Sequence, residues 1–86
     1  MPASTLTLIG KPGCHLCDDA REVVDGVLDE LGREGVAVRL VERSILDEPA
    51  LAAAYADDIP VVLVDDRVHG RWRVDAERLR ADLIGG

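Results

Sequence analysis

The most constraining feature of this sequence is a pair of cysteines, Cys14 and Cys17, separated by two residues. They are the only cysteines in the chain. They lie between an aliphatic, β-branched run at 5–9 and a stretch at 16–31 whose apolar residues recur at helical spacing. The segment 10–13 contains glycine and proline and can continue neither element, so we expect a loop there, with the N-cap of a helix at or next to Cys14. The sequence therefore places the cysteine pair where a strand meets a helix.

A cysteine at the start of a helix is suited to react as a thiolate. The first helical turn has unpaired backbone N–H groups and a partial positive charge, and both stabilise an anion. We therefore predict that Cys14 attacks disulfides, because the thiolate is the reactive form of cysteine. Cys17 follows one turn later on the same helix face, so it can attack a mixed disulfide at Cys14 and release the substrate. His15 either stabilises the thiolate as an imidazolium or points into solvent.

Composition bounds the kind of protein this is. The chain has 86 residues, which suits one domain over 1–86, and no repeat or composition break indicates a second. Its net charge of −7 argues against a nucleic-acid partner, because phosphate binding needs clustered Lys and Arg. No basic leader precedes an apolar run, and no run approaches the roughly 20 residues of a membrane span. We predict a soluble, cytoplasmic monomer, in which a lone cysteine pair is more often catalytic or metal-binding than structural.

Five further elements follow from periodicity and turn residues. The first helix is predicted to run from Cys14 or His15 to Leu31. After it we predict a strand at 36–41, a short helix at 48–56, a continuously apolar central strand at 59–64, an antiparallel edge strand at 67–71 and a last helix at 75–84. Asp65-Asp66 should form the tight turn between the last two strands. The order βαβαββα predicts an α/β fold, a four-stranded mixed sheet with helices on both faces and the first two strands parallel.

The two later helices carry predicted start signals. For the short helix we predict Asp47 as the N-cap, Pro49 in the first turn, and Leu46 packed on Leu51 as a hydrophobic staple. For the last helix, we predict Asp75 as the N-cap, with Val74 and Leu79 as the staple and Leu79 and Leu83 buried.

Three sequence features together resemble the glutaredoxin branch of the thioredoxin superfamily. They are Cys14-x-x-Cys17 after the first strand, Lys11 three residues before the first cysteine, and Ile59-Pro60 opening the third strand. The resemblance covers essentially the whole chain and is closest to short bacterial glutaredoxin-like proteins. It implies a thioredoxin-like fold and a thiol-disulfide oxidoreductase, with Cys14 as nucleophile, Cys17 as resolving thiol and Pro60 in cis. Beside the cysteine pair, the backbone of Ile59 would be free to pair with an extended substrate peptide.

The sequence departs from glutathione-using members at two places. Those members carry Pro-Tyr between the cysteines, where this chain has His15-Leu16. They also carry a paired glycine before the last helix, where this chain reads Gly-Arg-Trp-Arg-Val-Asp at 70–75. We therefore predict that glutathione is a poor reductant, although it stays an alternative co-substrate. Lys11, Trp72 and Arg73 are the candidates for contacting the substrate or thiol. Arg73 can instead be a solvated surface charge, and Trp72 can instead pack in a lid or in the core, without a role in binding.

The predicted partners follow from the exchange chemistry. They are a disulfide-containing protein or a small thiol as substrate, and a thiol reductant or reductase that recharges the pair, with no resident cofactor or metal. Two other functions stay open. The cysteine pair can be half of a zinc or iron-sulfur site completed by a second chain or by glutathione. Alternatively, the fold can serve as a redox-inactive binding module.

Overall fold

The computed structural model describes residues 4–85 as a four-stranded mixed sheet with three helices. In chain order the elements are β1 (Ser4–Gly10), α1 (His15–Arg33), β2 (Val38–Ser44), α2 (Pro49–Tyr55), β3 (Val61–Val64), β4 (Arg67–Arg71) and α3 (Ala76–Gly85). The predicted order and fold class are confirmed. The predicted domain also includes residues 1–3 and 86, which lie outside the described residues.

The strand register brings four chain segments to one end of the sheet. The strand order is β2-β1-β3-β4, with β1 parallel to β2 and antiparallel to β3, and with β4 antiparallel at the edge. Gly10 at the end of β1 pairs with Ser44 at the end of β2. Ile9 pairs with Val61 at the start of β3, and Val61 pairs with Arg71 at the end of β4. The cysteine loop, the end of β2, the Ile59-Pro60 segment and the residues after β4 therefore lie at the same end of the sheet.

The main core lies between one face of the sheet and the helices α1 and α3. Alternate residues of the central strands point into it, as a strand requires. Helix α1 adds one stripe at three- and four-residue spacing, and α3 adds two leucines. The buried members are Leu6, Leu8, Val62, Val64, Ala20, Val24, Val27, Leu31, Leu79 and Leu83. Ile9 and Val61, which point to the opposite face, are also fully buried. This packing fixes the start of α1 against the end of β1.

The second strand begins two residues later than predicted, because Val36 takes part in the hydrogen bonds that close the C-terminus of α1. The N–H of Val36 donates to the carbonyl of Leu31 at 2.8 Å. The N–H of Gly35 donates to the carbonyl of Gly32 at 3.1 Å. With Gly35 at φ +83°, these two bonds form a Schellman motif. The apolar alternation that predicted a strand from Val36 therefore merged the helix terminus with the strand.

The predicted start of α2 is wrong. Glu48, not Asp47, is the N-cap, and its side chain makes no capping bond. Instead, its carboxylate accepts a hydrogen bond from Arg43 at 2.8 Å. Leu46 is 69% exposed, which contradicts its role in a staple. The cause is a turn at the end of β2, where the N–H of Asp47 donates to the carbonyl of Ser44 and holds Asp47 one residue outside the helix.

The other predicted turn and cap are confirmed. Asp65 and Asp66 have φ of +50° and +69°, the pair of positive values that a two-residue hairpin turn needs. The carboxylate of Asp75 accepts hydrogen bonds from the N–H groups of Glu77 and Arg78 at 2.9 and 3.2 Å. This cap fixes where α3 begins, and hence the length of the loop that follows β4.

Candidate active site

The two cysteines meet at the first turn of α1. Cys14 is the N-cap, as predicted, with extended backbone angles of φ −92° and ψ 118°. Its Sγ accepts a hydrogen bond from the backbone N–H of Cys17 at 3.3 Å. The carbonyl of Cys14 accepts the first helical bond, from the N–H of Asp18, at 3.0 Å. Both cysteines are free thiols in this structure, and Cys14 is the more accessible of the two. A backbone N–H of the first helical turn, which has no partner within the helix, thus donates to the more accessible sulfur.

Cys17 occupies a protected position behind Cys14. It is 5% exposed. Burial raises the pKa of its thiol from the ordinary value of 9.0 to about 11, and the hydrogen bond with Cys14 adds to the rise. The backbone N–H of Lys11 acts in the opposite direction on the same pKa. An environment that keeps this sulfur protonated suits a thiol that acts only after another sulfur has reacted.

Gly10 makes room for the Cys17 sulfur, and sequence reasoning did not single it out. A Cβ at position 10 would lie 2.9 Å from Sγ and 3.2 Å from Cβ of Cys17. Separations below 3.0 Å are too short for unbonded heavy atoms, so a side chain here would displace the sulfur. The available signal was a glycine at the last position of a strand, which is typical of a close approach by another group.

A groove of about 260 Å³ lies between the first turns of α1 and the segment that follows β4. We call it the Trp72 groove. Leu16, Val23, Trp72 and Arg73 are among its lining residues. Two predicted substrate-binding residues, Trp72 and Arg73, therefore share one groove with a residue from between the cysteines. Sequence reasoning missed Leu16 as part of this surface, although an apolar residue in the exposed first turn of a helix was a usable signal.

The side chain of Trp72 is exposed but held in place. It is 52% exposed. Its backbone N–H donates to the carbonyl of Pro60 at 2.8 Å, and its indole Nε1–H donates to the carbonyl of Asp57 at 3.2 Å. Its φ is +61°, and the N–H of Arg73 donates to the carbonyl of Arg71 across it at 2.7 Å. Trp72 is therefore the central residue of a three-residue γ-turn, a strained geometry for a residue other than glycine.

The Ile59-Pro60 peptide bond is cis, as the family resemblance implied. Pro60 is fully buried, and Ile59 is half-buried. The backbone N–H and carbonyl of Ile59 have no hydrogen-bond partner within residues 4–85, whereas the next carbonyl, that of Pro60, is bonded to Trp72. Unpaired backbone groups next to the start of a strand are groups with which a strand-like peptide can pair.

Lys11 lies in a second cleft rather than in the Trp72 groove. This cleft, of about 370 Å³, is bounded by Lys11, Cys17 and the end of β2. Two ion pairs line it or border it, Arg21 with Glu42 at 2.7 Å and Arg43 with Glu48 at 2.8 Å. The structure thus divides the predicted substrate-binding residues between two sides of the cysteine pair.

His15 is the first residue of α1, and its side chain is exposed. Within residues 4–85 it makes no hydrogen bond or ion pair, so its predicted effect on Cys14 stays a prediction. His69, the other histidine, is paired with Asp82 on α3.

Two features absent from the described residues bear on other functions. Within 4–85, no three side chains among His, Cys, Asp and Glu come together in a way that could hold a metal ion. A metal bound by the cysteine pair would therefore take its other ligands from outside these residues. The same part of the chain contains no helix with the length and apolar character needed to cross a membrane.

Comparisons with known proteins agree with this geometry. The family model described as "Glutaredoxin-like domain (DUF836)" matches residues 5–84. An uncharacterised protein of Mycobacterium tuberculosis is 34% identical over 83 residues, which are 96% of this chain and 86% of that protein. The X-ray structure of a structural-genomics target from X. campestris, XcR50, is also 34% identical. It superposes with a TM-score of 0.67 over 94% of this chain and 97% of that one.

The fold extends to more distant structures. Oxidised mitochondrial thioredoxin 3 from Saccharomyces cerevisiae is 12% identical, with a TM-score of 0.68, over 100% of this chain and 81% of that protein. At this identity the likeness concerns the fold alone. It shows that the sheet order and helix placement described above are those of the thioredoxin fold.

Proposed function

This chain belongs to the glutaredoxin-like domain family, and we propose that it is a thiol-disulfide oxidoreductase that reduces disulfides through Cys14 and Cys17. The observation that carries the proposal is the hydrogen bond from the Cys17 N–H to the Cys14 Sγ at 3.3 Å. This bond becomes charge-assisted, and therefore stronger, when Cys14 is a thiolate. It places the sulfur of the more accessible cysteine at the N-terminus of α1.

The reaction has two exchange steps. The Cys14 thiolate attacks one sulfur of the substrate disulfide, forming a mixed disulfide and releasing the other substrate sulfur as a thiolate, which takes a proton from water. Cys17 then loses its proton and attacks the Cys14 sulfur. The Cys14–Cys17 disulfide forms, and the second substrate sulfur leaves as a thiol. Two electrons pass from the protein dithiol to the substrate, so an external thiol reductant must restore the pair.

The contrast between the two sulfurs supports this division of roles. Cys14 is partly exposed at the helix terminus, whereas Cys17 is buried and has a raised pKa. A buried, protonated resolving thiol does not compete for substrate, and it reacts when the mixed disulfide forms beside it. Its sulfur also lies next to the N–H of Lys11, which lowers its pKa and so favours the thiolate needed in the second step.

The proposed substrate is a protein disulfide. The unpaired backbone of Ile59 offers an extended segment two hydrogen-bonding groups, by the same strand addition that peptide-binding domains use. Glutathione is proposed as a poor reductant, because this chain lacks the aromatic residue between the cysteines and the paired glycine after β4. A dithiol protein or a reductase is then the partner that recharges the pair.

Single-turnover trapping tests the roles of the cysteines. Incubated with a disulfide-containing protein, Cys17→Ser should accumulate a mixed disulfide on Cys14, because the resolving attack is lost while the first attack survives. Cys14→Ser is the matched control and should trap nothing. Trapping by Cys14→Ser alone would reverse the two roles, and an absence of trapping by both variants would contradict the function.

A turnover assay identifies the reductant. Reduction of a protein disulfide is followed with glutathione and its reductase, and in parallel with thioredoxin reductase. We expect turnover with the second system to exceed that with the first. Efficient glutathione-dependent turnover of a small mixed disulfide would contradict this part of the proposal. Metal analysis of the same preparation addresses the open alternative, since zinc at about half an equivalent per chain, or iron at about one or two equivalents per chain, would indicate a site shared by two chains.

A further inference from the structure

We propose that Trp72 determines which protein disulfides this site accepts. The Trp72 groove would hold a large apolar side chain of an extended substrate segment, next to the disulfide cysteine, and Arg73 would favour an acidic residue beside it. This inference rests on the proposed oxidoreductase function and names the substrate class of that site.

The first argument is that the indole is rigid although half of its surface faces solvent. Its two hydrogen bonds, to the carbonyls of Pro60 and Asp57, hold both the backbone and the ring edge. An exposed side chain usually loses conformational entropy when it binds a partner. The Trp72 side chain has already lost this conformational entropy on folding. A rigid, exposed aromatic face is a typical centre of a protein interface.

The second argument is the backbone geometry of Trp72. Its φ of +61° at the centre of a γ-turn is strained for a residue with a side chain, and glycine would adopt it freely. Fold stability alone therefore favours glycine at this position. A large aromatic held in such a conformation indicates a use outside the fold, because backbone strain tends to persist at binding sites.

The third argument is the position of the groove. Leu16, which lies between the two cysteines in sequence, lines the groove together with Trp72, so the groove lies against the first turn of the helix that carries both cysteines. The carbonyl of Pro60 that anchors Trp72 follows directly after the unpaired backbone of Ile59. A segment that pairs with Ile59 and presents its cysteine to Cys14 would thus pass the indole. The groove of about 260 Å³ is below the roughly 300–1,000 Å³ typical of whole small-molecule ligands, which favours a single side chain.

The fourth argument is charge. Arg71 pairs with Asp58 at 3.6 Å, but Arg73, two residues later, is exposed and has no ion-pair partner within residues 4–85. Arg73 lines the groove, as does Asp19 of α1. An acidic residue of the substrate on the Arg73 side would complete an ion pair that this part of the chain leaves open. Such charged contacts mainly select among partners.

Peptide probes with a built-in chromophore test the proposal. Short peptides carry one cysteine as a mixed disulfide with 5-thio-2-nitrobenzoate, so attack on the peptide sulfur releases the coloured thiolate. Two probes differ only in Leu or Ser next to the cysteine. For the reduced wild-type protein, with no other thiol present, we expect the second-order rate constant of chromophore release to be about tenfold higher for the Leu probe than for the Ser probe. Trp72→Ala should reduce this ratio to about one, whereas Trp72→Phe should retain most of it.

Two further comparisons separate binding from stability. Trp72→Gly and Trp72→Ala both lose the indole, but only Trp72→Gly relieves the strain, so it should unfold at a higher urea concentration than Trp72→Ala. Both should lose the Leu preference. A preference that survives in Trp72→Gly would assign the effect to the turn and overturn the role of the indole. The control Leu46→Ala, which removes another exposed apolar side chain, from the β2–α2 loop, should keep the wild-type ratio.

The charge term is tested by a second pair of probes with Asp or Lys near the cysteine. Arg73→Gln should lower the Asp preference severalfold, and Arg67→Gln, at the opposite end of β4, should leave it unchanged. An unchanged Asp preference in Arg73→Gln would overturn the role of Arg73.

A binding measurement without chemistry completes the test. Trp72 is the only tryptophan in the chain, so its fluorescence reports on the groove directly. In a variant with both cysteines replaced by serine, the S-methylated Leu peptide should shift the emission and the S-methylated Ser peptide should not. If chromophore is released with no Leu preference and no emission shift, this inference fails alone. If no probe releases chromophore, the proposed function fails with it.

Discussion

The Cys17 thiol should ionise only at alkaline pH in the folded protein. Burial is the largest cause, and the hydrogen bond with Cys14 is the second. A rise in pKa from 9.0 to about 11 lowers the thiolate fraction near neutral pH about 100-fold. The more basic thiolate is intrinsically about tenfold more nucleophilic, since the Brønsted coefficient is about 0.4–0.5. We therefore expect Cys17 in the folded protein to be alkylated about tenfold more slowly than a free cysteine.

The measurement is alkylation by iodoacetamide from about pH 7 to about pH 11.5, followed for each cysteine by mass spectrometry of its peptide. The same protein in concentrated urea supplies the reference. Cys14→Ser removes the second cause of the shift but leaves the burial, so Cys17 should then ionise at a lower pH that is still above its ordinary value. Ionisation of Cys17 at the same pH in folded and unfolded protein would refute the reasoning. So would a complete return to the ordinary value in Cys14→Ser.

The same shift predicts that the fold weakens at alkaline pH. Between about pH 9 and about pH 11 the unfolded chain loses the Cys17 proton while the folded protein keeps it, so the unfolded state binds fewer protons and stability falls as pH rises. Two pKa units correspond to about 3 kcal/mol of unfolding free energy. Urea titrations of the wild type should show this loss relative to Cys17→Ser, which does not titrate there. Parallel losses in both proteins would contradict the assignment to Cys17.

Three substitutions test the fold around the site by urea denaturation. Asp75→Ala should lower the unfolding free energy by about 0.5–2 kcal/mol, because it removes the cap of α3; an unchanged value would show that the cap contributes nothing. Gly10→Ala should lower it by about 1–3 kcal/mol through the clash with Cys17, and by less in a Cys17→Ala background; equal losses in both backgrounds would disprove the clash. Gly26→Ala, in the middle of α1 with open space around it, should raise it by about 0.5–1 kcal/mol, and a decrease would count against this packing.

Local sequence patterns were sufficient for the architecture. Aliphatic alternation, helical spacing and turn residues gave the element order, because each is set by interactions within a few residues. The N-cap at Cys14 and the cap at Asp75 could be placed for the same reason, since a cap bonds to N–H groups two or three positions away. Where neighbouring turns compete, local reasoning failed. The apolar alternation places Val36 in the strand although Val36 closes the Schellman motif, and the local signal places the N-cap at Asp47, which the turn from Ser44 holds outside the helix.

Only the tertiary structure decided which candidate residues share a surface. Lys11 is three residues from Cys14 in sequence, yet it lies in the cleft beside β2, while Trp72, almost sixty residues away, lines the groove with Leu16. The register of β1, β3 and β4 brings these segments to one end of the sheet, and that register depends on pairing between distant strands. The contact between Gly10 and the Cys17 sulfur has the same origin, because it depends on how α1 packs against β1. The sequence by itself determined the position of the cysteine pair and the fold that holds it, since these follow from local spacing. Their surroundings follow from long-range packing, which no local pattern records.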